Sequence, residues 1–363
     1  MSNSLGVIAR GIKCPIIKKG DDIIEVVVNS IVRVVEENNI QLQDRDIIGV
    51  TESVVARAQG NYATTDQIAT DVRNKFGSER ITLVNPIYSR NRFAICLKGI
   101  AKAVKEVRFF FNPIRDEVGN LSIHPITGVD YHKYYKEIVE SVGAEYVETT
   151  DLFSSQNINI LICDIHTEKE ARERLKFFSN AKTVYSLSQI LSASIDGSGF
   201  NIKYGLLGSN KVDEDTVKLF PRDCNTIVDA IQSRLQDIYH KNIEVMIYGD
   251  GAFKDPDTGI WELADPVVSP GYTIGLEGSP NEIKLKYLAD DKFKNLSGEE
   301  LREAIVKSIK EKDSDLKGKM ISQGTTPRRY VNLLGSLCDL VSGSGDKGTP
   351  VILIQNYFKN YAD

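Results

Sequence analysis

Between residues 88 and 192 the chain alternates between two hydrophobic periods, and this restricts the fold more than any other feature. Glu106 to Phe111, Glu145 to Val147, Asn159 to Cys163 and Lys182 to Tyr185 are short runs that predict strands. Tyr131 to Val142 and residues 167–178 predict helices. Strands alternating with helices imply a small βαβ sheet, and we read 88–192 as a separate unit. Asp164 and His166 then fall at a strand's C-terminal end, where open α/β sheets collect ligands; a capping Asp and an exposed His are the bland alternative. Arg90 and Arg92, in Ser89-Arg90-Asn91-Arg92, and Arg115-Asp116-Glu117 could grip a substrate's carboxylates or form a surface ion-pair network.

The flanking sequence has a different character. Residues 21–38 predict an amphipathic helix, with their β-branched content leaving strand as the alternative, and Asp46 to Val50 a short strand. A helix follows from Thr51 to Gly60, with Thr51 or Ser53 as its cap; a strand running into a capped helix points N–H groups outward at an anion. From Ser194 onward glycine and polar turns accumulate. A helix is predicted over Cys224 to Tyr239, and another over 298–313. Val245-Met246-Ile247-Tyr248-Gly249-Asp250-Gly251 reads as a buried strand delivering one carboxylate into a turn. Residues 252–282 have little regular pattern; Asp255, Glu262 and Asp265 flank Trp261 there, as metal ligands or part of an ordered lid. Val351 to Ile354 is a buried final strand. The fold class expected is α/β in the mixed α+β sense, with a core from 1–87 and 193–363 and an inserted small βαβ domain at 88–192.

Composition narrows the function classes. Of the 363 residues 41% are hydrophobic and 26% charged, and the net charge of −5 argues against a general nucleic-acid binder. No apolar run approaches the ~18–20 residues that span a bilayer, and the N-terminus lacks a signal peptide's apolar core, so no membrane partner is expected. Five scattered cysteines read as reduced thiols in a cytoplasmic protein.

Two stretches carry the chemistry. Asp250 can hold a metal, and Ser342-Gly343-Ser344-Gly345-Asp346-Lys347-Gly348-Thr349 can cradle phosphate; together they suit a nucleoside triphosphate. Arg57, Arg328, Arg329 and Lys347 are cations for phosphates or carboxylates, and Ser342, Ser344 and Thr349 supply hydroxyls. Each has a plainer alternative: a turn aspartate, a solvated helix start, a mobile loop.

Five segments, in order, resemble the coenzyme F(420):L-glutamate ligases: Gly11 to Asp22; Val50 to Gly60; Gly205-Leu206-Leu207-Gly208-Ser209-Asn210 with Val217 to Pro221; Val245 to Gly251; and Asn332-Leu333-Leu334 with Gly345 to Val351. The resemblance covers roughly 8–87 and 193–355. It implies a γ-glutamyl ligase-like fold, and an enzyme that adds L-glutamate to a carboxylate acceptor through a γ-linked amide. It also implies GTP (or ATP), Mg²⁺ or Mn²⁺, and a homodimer. The acceptor is a deazaflavin coenzyme precursor, or by analogy of their glutamate tails a folate.

Residue by residue, the resemblance puts Asp250 on a metal aspartate, with Asp255 as a second candidate ligand. Asn210, with Ser209 beside it, falls on a nucleotide-contacting asparagine, and Arg57 on a phosphate-facing lysine. Glu52 and Ser53 fall on further nucleotide contacts, and Cys14, Pro15, Ile16 and Ile17 on backbone contacts to the base. Asp250, Arg57 and Lys347 are the expected catalytic residues. One departure stands out: Leu207 occupies the place of the family's other metal aspartate, with Asp213, Asp215, Asp255 and Asp265 as candidate substitutes. It opens an alternative, a non-catalytic or regulatory nucleotide-binding protein that kept the fold.

Overall fold

The structure is a computed structural model that describes residues 5–111, 114–116, 120–152, 157–164, 181–250, 267–323, 328–342 and 346–363, with Asp250 and Val267 described by backbone alone. The chain divides into two compact units. One comprises Met1–Ile16, Asp22–Thr51 and Asp223–Asp363, and the other Ile17–Asp21 and Glu52–Arg222. The architecture is α/β, with three sheets among the described residues.

The first unit is built on a mixed sheet. Its strands lie in the order β1 (Ile8–Ile12), β13 (Val351–Gln355), β2 (Ile47–Thr51), β11 (Glu244–Asp250), β12 (Val267–Tyr272). β2 and β11 are parallel and the other pairings antiparallel. The inner strands are mostly apolar along their middles because helices bury them. α8 (Tyr330–Val341) sets Val331, Leu334 and Cys338 against Ile47, Met246, Tyr248, Ile352 and Ile354. Gly49 of β2 permits this approach, since a Cβ there would stand 2.4 Å from Cys338 Sγ. α1 (Ile23–Glu37) packs on α6 (Cys224–Tyr239), which also packs on β11 and β12. Asp22 caps α1, accepting from the Glu25 N–H at 3.1 Å. α7 (Gly298–Lys310) buries Ile305 and Ile309 in a smaller cluster with Ile283, Leu288 and Leu316.

The second unit holds two sheets. One is small and antiparallel, in the order β3 (Tyr62–Thr64), β10 (Thr216–Leu219), β9 (Ser209–Lys211). The other is fully parallel, in the order β6 (Glu145–Glu148), β5 (Glu106–Phe110), β4 (Arg80–Val84), β7 (Ile158–Ile162), β8 (Ala181–Ser186). The helices are α2 (Glu52–Gln59), α3 (Thr65–Phe76), α4 (Ala94–Ala101) and α5 (Tyr131–Ser141). Alternation divides the strand residues between two faces. Ile81, Leu83, Val107, Phe109 and Leu161 join α3, α4 and α5 in one cluster. Val84, Ile158, Ile160 and Ile162 join Leu152, from the segment between β6 and β7, on the other. The parallel sheet starts at Arg80, ahead of residue 88. The helix expected over 167–178 lies outside the described residues.

Among the described residues, no helix is long and apolar enough to cross a membrane, and all five cysteines are free thiols.

Candidate functional site

In the first unit, strand register decides which residues share an edge of the sheet. Ile12 of β1 stands opposite Val351 of β13, Val351 opposite Val50 of β2, and Thr51 opposite Tyr248 of β11. The chain therefore leaves β1, β2 and β11, and enters β13, at one edge. Cys14, Thr51, Asp250 and Gly348 lie there, each within a few residues of a strand end. Backbone bonds tie the segments together: the Cys14 N–H donates to the Gly348 carbonyl at 3.1 Å, and the Thr51 N–H to Pro350 at 3.0 Å. Gly348 turns at φ +64°, which favours glycine. Asp346, Lys347 and Gly348 are exposed, as is Pro15. Ile16 is 81% exposed, so this edge presents an apolar surface beside a polar loop. Arg33 braces the segment by donating to the Lys13 carbonyl at 2.7 Å. Burial pushes the Cys14 thiol up from its ordinary value, against a hydrogen bond to Ser30 and the charge of Arg33, so it is a neutral thiol at pH 7.

The second unit gathers another set. Glu52 and Ser53 open α2, and Arg57 lies exposed one turn beyond Ser53. The Glu52 carboxylate receives Lys218 Nζ on both oxygens, at 2.8 and 2.7 Å, with the two side chains only 6% and 10% exposed. Lys218 of β10 stands opposite Asn210 of β9, and directly opposed residues project to the same face. The structure thus brings Glu52, Lys218 and Asn210 together. Ser209 is buried and hydrogen-bonds Cys96 Sγ at 3.1 Å. Ile17 is buried as well.

Lys218 was not among the residues singled out in the sequence. Its signal is a lone lysine inside Val217-Lys218-Leu219-Phe220, because a lysine in a buried strand needs a carboxylate partner. The partner lies 166 positions away, which no local pattern reveals.

Other expectations end differently. Arg329 is not brought to the first unit's edge. Its guanidinium bonds the Tyr272 hydroxyl at 2.5 Å and pairs with Glu277 at 3.4 Å. Tyr272 stands opposite Met246, four residues short of Asp250, which is roughly 13 Å along a strand. Arg328 directly precedes it. Ser342 ends α8 and donates to the Asp339 carbonyl. Leu207 packs against the second unit's core within the turn Gly205–Gly208. Asp215 is paired with Lys98 at 2.9 Å and bonded by Thr65 at 3.0 Å; these hydrogen bonds, with the charges of Lys98 and Lys102, hold its carboxyl below the ordinary range. Asp213 caps its own turn, accepting from the Asp215 N–H. Asp255, Asp265, Glu262, Trp261, His166, Gly343, Ser344 and Gly345 lie outside the described residues, as does the Asp250 side chain. Among the described residues no group of three or more His, Cys, Asp or Glu is placed to hold a metal.

A search of the curated proteins returns no match. The family model described as F420-0:Gamma-glutamyl ligase matches residues 11–356, nearly the whole chain and both edges just described. The chain belongs to the F420-0:gamma-glutamyl ligase family.

Proposed function

We propose that this ligase uses GTP or ATP and a divalent cation to join L-glutamate, in γ-linked amide form, to the carboxylate of a small-molecule acceptor. The observation that carries the reading is the convergence of Cys14, Asp250 and Gly348 on one sheet edge in the first unit. Amide formation from a carboxylate needs activation. An acceptor oxygen attacks the γ-phosphorus, the nucleoside diphosphate leaves, and an acyl phosphate forms. The glutamate amine then attacks the acyl carbon, phosphate leaves, and the amine gives up a proton. Here the protein's work is positioning and charge neutralisation.

In this reading Lys347 and the backbone of the glycine loop meet phosphate oxygens, and the exposed Ile16 beside Pro15 gives the base an apolar face. In the second unit, Arg57 is an exposed cation suited to an anion, and Asn210 an amide suited to hydrogen bonding. Lys218 holds Glu52 in place through both carboxylate oxygens. Asp250 and Asp255 would hold Mg²⁺ or Mn²⁺, whose chemistry is to neutralise phosphate charge; hard oxygen donors suit these ions. A deazaflavin precursor and a folate are the acceptor classes to test. The active form is proposed to be a homodimer and cytoplasmic.

A second reading, a regulatory nucleotide-binding protein, draws on Leu207 and on Asp215, whose carboxylate is already engaged by Lys98. Thermal-shift assays with GTP and ATP, with and without Mn²⁺, separate the two. The ligase reading expects metal-dependent stabilisation that Asp250→Ala abolishes, together with nucleotide hydrolysis coupled to glutamate addition on one acceptor of a panel. Metal-independent stabilisation without turnover supports the regulatory reading. Absence of any nucleotide effect defeats both.

A further inference from the structure

The parallel sheet is wound in two directions. β4 lies at its centre; β5 and β6 were added on one side, β7 and β8 on the other. The connection leaving β4 runs through α4 on one face, whereas Leu152, between β6 and β7, packs on the opposite face. The carboxyl ends of β4 and β7 therefore flank the point where the winding reverses. In open α/β sheets this crevice receives ligands, because the adjoining loops diverge from it.

The residues at this crevice differ from those at the sheet's other end. At the amino ends, Arg80 and Glu145 are exposed. At the carboxyl ends, polar side chains are buried: Asp164 beyond β7 is 5% exposed, and Asp116, beyond β5, 6%. Asn85 leaves β4 at φ +50°, and its Nδ2 donates to Asp164 Oδ2 at 2.7 Å across the crevice. A polar pair buried where the winding reverses lies where open α/β sheets take their ligands.

The loop from Asn85 to Phe93 is firmly held. The Tyr88 N–H donates to Asp116 at 2.9 Å, the Ser89 N–H to the Tyr135 hydroxyl at 3.0 Å, and the Arg92 N–H to Ser89 Oγ at 3.1 Å. It contains no glycine, so it cannot wrap phosphate in backbone N–H groups as a glycine-rich turn does. It carries Arg90 and Arg92 instead, with Arg90 exposed. A carboxylate suited to hydroxyl donors and guanidinium groups suited to an anion make a two-ended recognition set.

We propose that this crevice is a second small-molecule site, which takes a ribose phosphate: Asp164 and Asn85 meet the sugar hydroxyls, and Arg90 the phosphate. The ligand is a free sugar phosphate or the same group within a nucleotide. The site belongs to the parallel sheet alone and does not depend on the ligase reading.

Isothermal titration of the full chain with ribose 5-phosphate, AMP and GMP tests it, with ribose and inorganic phosphate as controls. Binding is expected, weakened about tenfold or more by Arg90→Ala and by Asp164→Asn. Hydrogen-exchange protection is expected at residues 85–92 and 163–164. Equal binding of all three probes assigns a free sugar phosphate, and tighter binding of AMP or GMP assigns a nucleotide. Arg90 is exposed, so its alanine variant remains informative if Asp164→Asn fails to fold. Failure of all three probes to bind, binding indifferent to Arg90→Ala, or affinity matched by inorganic phosphate would overturn the proposal.

Discussion

The two polar edges of this protein are held in opposite ways. At the first unit's edge, backbone bonds fix the segments around Cys14, Thr51 and Gly348, and side chains such as Lys347 stand exposed. In the second unit polar side chains are buried and held by one another: Glu52 by Lys218, Asp164 by Asn85, the Tyr88 loop by Asp116. An exposed charge costs little to carry and can be spent on a ligand. A buried one must be satisfied before the chain folds. Substitutions at the first edge should therefore cost activity, and those that break the buried polar pairs of the second unit stability.

The sharpest break of that contrast is Lys218→Met. It strands a buried Glu52 carboxylate, and losing one partner of a buried pair costs about 3–5 kcal/mol. Urea unfolding followed by circular dichroism measures it. Adding Glu52→Gln should restore most of the loss, because the double variant leaves no uncompensated charge. A Lys218→Met chain as stable as wild type would remove the distinction between the units.

Lys347→Ala is the counterpart at the first edge. Its unfolding free energy should change by no more than about 0.5 kcal/mol, as for other exposed substitutions. Its glutamate-ligation rate should fall by roughly 10–100-fold through lost charge stabilisation. A large loss of stability with unchanged turnover would reverse the assignment.

Gly49→Ala asks whether the first unit's tolerance stops at its surface. The new methyl would meet Cys338 Sγ beneath α8, and overpacking of this kind costs about 1–3 kcal/mol. Cys338→Ala in the same chain frees that space, so the double variant should lose less than the sum of the single ones. Strict additivity would mean that the helix shifts instead of clashing.

How much was legible followed the range of the forces involved. The helix over Cys224 to Tyr239 is found with the bounds its periodicity gave, since its apolar stripe is local and His240 ends it at φ +52°. The strands over 46–50 and 351–354 are found within a residue, being short apolar runs buried on both faces. α3 went unread although Thr64 and Gln67 form a capping box, because its polar surface masks the stripe. β12 went unread because Pro270 and Gly271 look like a turn; an edge strand tolerates both. The family segments fall in both units. The order of the parallel strands and the Lys218–Glu52 pair are long-range facts that no local pattern encodes.

The smallest effect is a difference of sign. Burial pushes the Asp46 carboxyl, in the first unit, above its ordinary 3.8, despite bonds from the Gln43 N–H at 2.9 Å and Gln355 at 2.7 Å. Burial also acts on Glu106 in the second unit, but Arg108 and Arg80 outweigh it and hold that carboxyl below 4.5. Asp46's raised value adds stability that is complete below 3.8 and lost as pH rises through its folded value. Glu106's lowered value adds stability that is complete above 4.5 and lost as pH falls through its folded value. Unfolding free energies measured from pH 3 to 7 should show the deficit of Glu106→Gln growing with pH and that of Asp46→Asn shrinking. Two deficits that move together would mean that burial governs both carboxylates, and that the second unit's ion pairs do not set its response to acid.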